Sequence, residues 1–305
     1  MKPLVSICMI TYNHEKFIAE AIEGVLMQEV DFEVELIIAD DCSTDNTGLI
    51  VQGYVDNHPK GNWINYVRHS ENKGMMGNFI WALNQCKGEF IALCEGDDYW
   101  LKSNKLLTQI SVLKSKPDFS FSFHDCYVID QNEKSLENNY LPNSSKKNLN
   151  FVDLIMNKLV PTCSVVFRKE SLPNPLPCEF SYTINGDSFL FFLLSFDNPG
   201  FYHKDYLAAN YRKHIGGVWS GLIRKDKHTK LLNTFFLINK INKPNAFNKY
   251  VWKKISYLSY ELGKDYLKDN KKLSKYFFFQ SIVYSLKSFQ IKITLFSIIK
   301  LLKLL

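Results

Sequence analysis

The chain has 305 residues, 46% of them hydrophobic and 22% charged, with a formal net charge of +6. That composition excludes a disordered chain and a disulfide-stapled mini-domain, and it suffices for a full α/β core with residues left for an extension. Seven scattered cysteines with no Cys-x-x-Cys pair exclude a zinc ribbon and read as buried thiols of a reducing compartment.

The first element, Leu4 to Ile10, is a short apolar run of strand formers, followed by Thr11-Tyr12-Asn13 and a helical pattern through Phe17, Ile18, Ala21, Ile22, Val25 and Leu26. A second run, Val34 to Ala39, ends in Asp40-Asp41-Cys42-Ser43-Thr44-Asp45-Asn46-Thr47. A third, Ile64 to Val67, leads through Asn72 and Gly74 to a helix-like stretch from Asn78 to Cys86. The fourth, Phe90 to Cys94, ends in Glu95-Gly96-Asp97-Asp98-Tyr99-Trp100, and Lys102 to Lys114 again has helical spacing. Alternating strands and helices predict an α/β fold whose mainly parallel sheet is covered on both faces.

Ligands of such sheets bind beyond the carboxyl ends of the strands, which is where the four polar clusters fall. The acidic turn in Glu95–Trp100 supplies local oxygen donors that suit Mg²⁺ or Mn²⁺; a solvated acidic turn fits the same six residues. No Gly-x-Gly-x-x-Gly follows the first strand and no P-loop occurs, so neither a dinucleotide fold nor a P-loop nucleotidase is indicated.

Taken in order, Thr11-Tyr12-Asn13, Asp40-Asp41-x-Ser43-x-Asp45-x-Thr47, Asn72-x-Gly74 and Glu95-x-Asp97-Asp98 resemble the signatures of family 2 glycosyltransferases with the GT-A fold, over roughly residues 4 to 110. The resemblance implies a nucleotide-sugar donor, a UDP-sugar foremost. It implies donor contacts from Thr11, Tyr12, Asn13, Glu15, Asp40, Asp41, Ser43, Asn72, Gly74, Asn78, Glu95 and Asp98. In that scheme Tyr12 and Asn13 line the base pocket, Asp40 accepts from the base, Asp97 is the direct ligand of Mn²⁺ or Mg²⁺, and Asp98 faces the donor sugar. Glu95 stands where such enzymes carry the first Asp of an Asp-x-Asp element.

Two later segments extend the resemblance. Asp187, in Asn185-Gly186-Asp187-Ser188, opens an apolar stretch and is expected at a helix N-terminus, in the place of the family's catalytic base; an N-cap fits the same position. Tyr211-Arg212-Lys213-His214-Ile215-Gly216-Gly217-Val218-Trp219-Ser220 resembles the stretch that closes the catalytic region. It implies His214 as a second metal ligand and Arg212, Gly216, Gly217 and Trp219, with Trp100, as acceptor or lid contacts. Pro161 to Arg168 reads as a strand bordering the acceptor.

These segments divide the chain into a catalytic domain, 1–220, with a nucleotide-sugar half at 1–115 and an acceptor half at 116–220, and a helical extension at 221–305. Beyond Asp269 there is no acidic residue, while seven lysines punctuate a tail of Phe, Ile, Leu and Tyr. Ser281, Ser285, Ser288 and Lys292 fall at helical spacing, a narrow polar stripe opposite a wide apolar face. An anionic membrane surface accounts for that pattern, and packing on the catalytic domain or in a dimer interface accounts for it nearly equally. No stretch approaches the ~20 apolar residues of a membrane span. The positive excess sits in this tail, away from any nucleic-acid module, so nucleic acid is not expected as a partner. With no leader pattern at its start, the chain is expected in the cytoplasm, at most peripheral on the membrane's inner face.

The resemblance therefore implies a metal-dependent inverting transferase acting on a hydroxyl of a glycan or lipid-linked acceptor in surface-polysaccharide synthesis. The rivals are a sugar-1-phosphate nucleotidyltransferase, which lacks its Gly-rich basic loop here, and a non-catalytic nucleotide-sugar-binding scaffold.

Overall fold

A computed structural model describes residues 3–136, 139–156, 159–214, 216–217, 221–241 and 243–304. The chain divides into two compact units. The first comprises Met1–Asn150, Lys158–Leu176 and Leu193–His214; the second comprises Phe151–Asn157, Pro177–Phe192 and Ile215–Leu305.

The elements run β1 (Val5–Thr11), α1 (Ile18–Leu26), β2 (Val34–Asp40), α2 (Thr47–Asn57), β3 (Ile64–Arg68), α3 (Gly74–Gln85), β4 (Phe90–Leu93), β5 (Tyr99–Trp100), α4 (Lys105–Ser115), β6 (Phe121–Asp130), α5 (Phe151–Ile155), β7 (Val166–Arg168), α6 (Gly186–Leu194), β8 (Gly200–Lys213), α7 (Arg224–Lys240), α8 (Asn245–Asp265), α9 (Lys271–Lys287) and α10 (Ile291–Leu302). The strands of the first unit form one sheet in the order β3-β2-β1-β4-β7-β6-β8-β5. β3, β2, β1 and β4 are mutually parallel, as the alternation of strands and helices predicts. β7 then enters antiparallel between β4 and β6, and β5 pairs antiparallel with β8.

Register fixes the site. Thr11 pairs with Asp40, Asp40 with Arg68 and Cys8 with Leu93, so four strands end along one edge and release their loops together. β1, β2 and β4 are almost wholly buried because helices cover both faces of a parallel sheet, which is why they read as continuous apolar runs.

Two local readings differ from the structure. The third helix begins at Gly74, not Asn78, because Asn72 Oδ1 accepts from the Gly74 N–H at 2.9 Å and Gly74 adopts φ +75°. Within Pro161–Arg168 only Val166–Arg168 is strand; Thr162–Ser164 is a buried 3₁₀ turn, where the Ser164 hydroxyl donates to the Pro161 carbonyl at 2.7 Å.

In the second unit α7, α8, α9 and α10 pack in sequence around Phe235, Val251, Ile255, Leu262 and Phe278, and Phe151 stacks on Phe247 with ring centroids 3.9 Å apart. The serine stripe is not one continuous outer face. α9 ends at Lys287, Lys292 belongs to a separate helix, and Ser281 and Ser285 are buried. Among the described residues no helix is long and apolar enough to cross a membrane.

Candidate functional site

The loops after β1 and β2 brace one another through side-chain to backbone hydrogen bonds. The Asn13 N–H donates to Ser43 Oγ at 2.9 Å, the Thr44 N–H to Asn13 Oδ1 at 2.8 Å, the His14 N–H to Thr47 Oγ1 at 2.9 Å, and the Glu15 N–H to Asp45 Oδ2 at 3.0 Å. Glu15 in turn accepts from the Asn46 side chain at 2.9 Å. Asn13 and Cys42 hold φ of +54° and +66°, sharp reversals that this lattice sustains. Such bonds absorb the polar groups that alternating Asp, Ser and Thr supply, so much of the Asp40–Thr47 signature is framework.

That corrects several expected donor contacts. Asp40 is fully buried; its Oδ1 accepts from the Ser43 N–H at 2.8 Å and its Oδ2 from the Tyr66 hydroxyl at 2.8 Å, so it ties β2 to β3 and does not meet a base. Asp41 Oδ1 takes the Lys73 N–H at 2.6 Å, and Asn72 Nδ2 donates to the Asp41 carbonyl at 3.1 Å. Asn78, 2% exposed, spans the His69 ring and the Ala39 carbonyl inside the fold. Tyr12 is different: at 45% exposure its ring stands open at the sheet edge.

The acidic turn after β4 separates into unlike carboxylates. Asp98 is buried, accepts from the Arg212 N–H at 2.8 Å, and has its pKa pushed well up by burial and then by Cys163, Asp97 and Glu95. A buried carboxyl held in this way braces the turn and does not face a sugar. Asp97 Oδ2 instead meets His214 Nε2 at 3.0 Å. Burial works to raise its pKa, but the His214 hydrogen bond and the charges of His14 and His214 outweigh it, and the group stays below the ordinary carboxylate range.

His14 completes this cluster and carried no role in the sequence reading. One ligand atom each from His14, Asp97 and His214 lies within 4.8 Å of the other two. Burial outweighs the opposing pull of Asp97, depresses the His14 pKa and favours the neutral imidazole a metal requires. Among the described residues neither His14 Nδ1 nor Thr11 Oγ1 has a hydrogen-bond partner, although both atoms are buried. Gly96 keeps this corner open: a Cβ there would stand 2.8 Å from Thr11 Oγ1 and 3.0 Å from His14 Nδ1. Ligands around a first-row ion at about 2.0–2.3 Å lie about 3–4.5 Å apart, so the three residues fit one divalent ion. Two imidazoles with one carboxylate suit Mn²⁺ better than Mg²⁺, a donor set the acidic turn by itself did not reveal.

Arg212 is 4% exposed and supports the site from behind. Its Nε donates to the Asp97 carbonyl at 3.0 Å, its Nη2 pairs with Glu20, and its guanidinium lies 4.7 Å from the Phe17 ring centroid and 5.4 Å from that of Tyr99. It is a positioning residue, not the acceptor contact expected of it. Trp100 is likewise core: it is 1% exposed and its indole N–H donates to the Cys163 carbonyl at 2.8 Å. An apolar ring at the root of a sheet-edge turn gains more from burial than from solvent.

Asp187 belongs to the second unit, in the first turn of α6, where its Oδ1 accepts from the Ser188 N–H at 2.6 Å and burial raises its pKa. Gly216 lies in an exposed turn beside Gly217, and Trp219 falls outside the described residues.

Comparison with known proteins adds four findings. The family model described as glycosyl transferase family 2 matches residues 6–173, more than half of the chain. An uncharacterized protein of Mycobacterium tuberculosis is 32% identical over 70% of this chain, which spans 60% of that relative's length. The Escherichia coli protein WfgD, a UDP-Glc:alpha-D-GlcNAc-diphosphoundecaprenol beta-1,3-glucosyltransferase, is 31% identical over 73% of this chain and 83% of its own. The structure of S. aureus TarS 1–349 in complex with UDP-GlcNAc superposes with a TM-score of 0.66 at 20% identity, covering 94% of this chain and 80% of that one, and shares the fold.

Proposed function

Because the chain belongs to glycosyl transferase family 2, we propose that it is a metal-dependent inverting transferase moving a sugar from a nucleotide-diphospho-sugar to a hydroxyl. The observation that carries the reading is the convergence of His14, Asp97 and His214 at the carboxyl edge of the parallel strands, with the exposed ring of Tyr12 on the loop that carries His14. His14, Asp97 and His214 would hold the divalent ion, Mn²⁺ by the chemistry of these donors, and positive charge held there would offset the negative charge on the departing nucleoside diphosphate.

Tyr12 presents a face on which a nucleobase stacks, while Asn13, Asp40, Asp41, Ser43 and Asn72 fix the loops around it. Glu95 adds a carboxylate at the mouth of the turn. Asp187 is the base: it takes the proton of the acceptor hydroxyl as that oxygen bonds to the anomeric carbon and the carbon–diphosphate bond breaks, inverting the centre. Burial raises its pKa above the ordinary carboxylate range, which makes it a stronger base than a solvated aspartate.

The similarity to WfgD supports a UDP-sugar donor and a lipid-linked saccharide acceptor. We place the reaction in capsule, lipopolysaccharide or exopolysaccharide synthesis, and the enzyme on the inner face of the cytoplasmic membrane. The 1–220 segment is the catalytic part, with Gly216, Gly217 and Trp219 in a closing loop, and 221–305 its extension.

The test is calorimetric binding of UDP-, GDP-, dTDP- and CMP-sugars with Mn²⁺ or EDTA, using wild type and Asp97→Ala. Metal-dependent binding of one donor, lost in the variant, is expected. Absence of donor binding in both conditions overturns the reading and favours the scaffold.

A further inference from the structure

The α9–α10 hairpin is built inside out. A helix pair in water turns its apolar faces inward and its serines outward. Here Ser281 is fully buried, donates to the Ser256 carbonyl at 2.9 Å and accepts from Ser297 Oγ at 3.0 Å, and the Ser285 and Thr294 hydroxyls meet at 2.7 Å. The outer face is aliphatic: Ile291, Leu295, Ile298 and Leu302 recur at helical spacing and are 76%, 54%, 37% and 63% exposed. Small hydroxyl residues bonding between helices, with large apolar ones outside, is the packing of helices that face hydrocarbon.

The turn between the helices points the same way. The Gln290 N–H reaches the Ser285 carbonyl at 2.8 Å and the Phe289 N–H the Leu286 carbonyl at 3.2 Å, a Schellman ending whose left-handed position is normally glycine. Phe289 occupies it at φ +58° and is 91% exposed. The fold thus accepts a strained backbone to present a bare aromatic ring at the tip of an aliphatic face.

We propose that the outer face of α9 and α10 docks on an anionic lipid bilayer, inserting Phe289 and the flanking aliphatic side chains without crossing it. This deepens the membrane localisation proposed above. α10 has 12 residues, about 18 Å of helix against the about 30 Å of a hydrocarbon core, so it lies along the interface. Charge selects the occupant. Lys287 at the end of α9, Lys292 in α10 and Lys303 at its C-terminal cap are exposed, with no carboxylate after Asp269. A second copy on a twofold axis would set these ammonium groups against one another, whereas anionic headgroups neutralise them.

The full chain is sedimented with phosphatidylcholine vesicles with and without phosphatidylglycerol. Binding is expected on the anionic vesicles and is weakened by salt. Each lysine near such a surface contributes about five-fold, so replacing Lys287, Lys292 and Lys303 together by serine lowers partitioning about a hundred-fold. Phe289→Gly supplies the control for folding: glycine fits the left-handed position, so the melting temperature holds or rises while vesicle binding falls at least ten-fold. No binding to anionic vesicles, or unchanged binding by Phe289→Gly, overturns the proposal. So does a dimer in sedimentation velocity that Phe289→Asp dissociates, which would assign the face to a second copy. These readouts involve no sugar, so their failure leaves the transferase reading standing, and loss of donor binding leaves the membrane face standing.

Discussion

Arg212→Met separates a positioning role from substrate contact. Methionine keeps much of the buried volume but removes the Nε–H bond to the Asp97 carbonyl, the pairing with Glu20 and the approach to the Phe17 ring. The charge-assisted bond is worth about 1.5–3 kcal/mol and the cation–π contact about 0.5–2 kcal/mol. The Glu20 pairing is discounted to about 0–1 kcal/mol because that carboxylate is substantially exposed. The net loss is about 3 kcal/mol, read as a lowered urea midpoint at unchanged slope. Mn²⁺ affinity, followed by electron paramagnetic resonance without substrate, falls about ten-fold as Asp97 loses its support. Glu20 supplies a pH signature. Burial and a hydrogen bond with Glu133 raise its pKa to about 7 against the pull of Arg212. Since the folded state holds a proton that the unfolded chain has released, stability falls as pH rises from about 4.5 to 7, and without Arg212 the fall continues to higher pH. Stability within 1 kcal/mol of wild type, unchanged Mn²⁺ affinity and a change confined to KM for the acceptor would refute the reasoning and restore a substrate contact.

Gly96→Ala crowds His14 Nδ1 and Thr11 Oγ1, so Mn²⁺ affinity measured by calorimetry drops about ten-fold while the fold loses about 1–3 kcal/mol. If Asp187 is the base, kcat/KM rises with pH as its carboxyl ionises, and burial sets that acidic limb above the ordinary carboxylate range. Asp187→Asn abolishes transfer yet leaves donor binding in place. Lys105 is fully buried with Nζ 2.7 Å from Gln109 Oε1, and burial lowers its pKa to about 8 from 10.5. The unfolded chain then holds a proton that the folded one has released, so stability rises between about pH 8 and 10.5; Lys105→Met flattens that slope in urea titrations.

The fold was legible where one physical rule acts along the chain. β1, β2 and β4 show as unbroken apolar runs because both faces of a parallel sheet are covered, and the polar clusters behind them mark the ligand edge. Boundaries set by a side-chain bond were less legible, as with Asn72 starting α3 at Gly74 or Ser164 turning the segment before β7. At the site, Asp97 and His214 do meet. His14 lay in plain view two residues after Tyr12, but nothing local distinguishes a ligand from a loop histidine. The family resemblance implies substrate contacts for Asp40, Asp98, Asn78 and Arg212, while burial and hydrogen bonding commit them to the frame.

The sequence by itself determined the α/β class, the four loops at one edge and the acidic turn, because strand and helix periodicity and turn chemistry are local and survive in one dimension. Only the tertiary structure decided which polar groups remain open, since a carboxylate's role depends on donors from strands far away in the chain: Arg212 is 115 residues beyond Asp97, and the Tyr66 hydroxyl that satisfies Asp40 comes from another strand. It alone decided which way the serines of α9 face. A helix has the same stripe whichever side is buried, and only its neighbours in space, Ser256 and Ser297, turn the hydroxyls inward and leave the aliphatic side out.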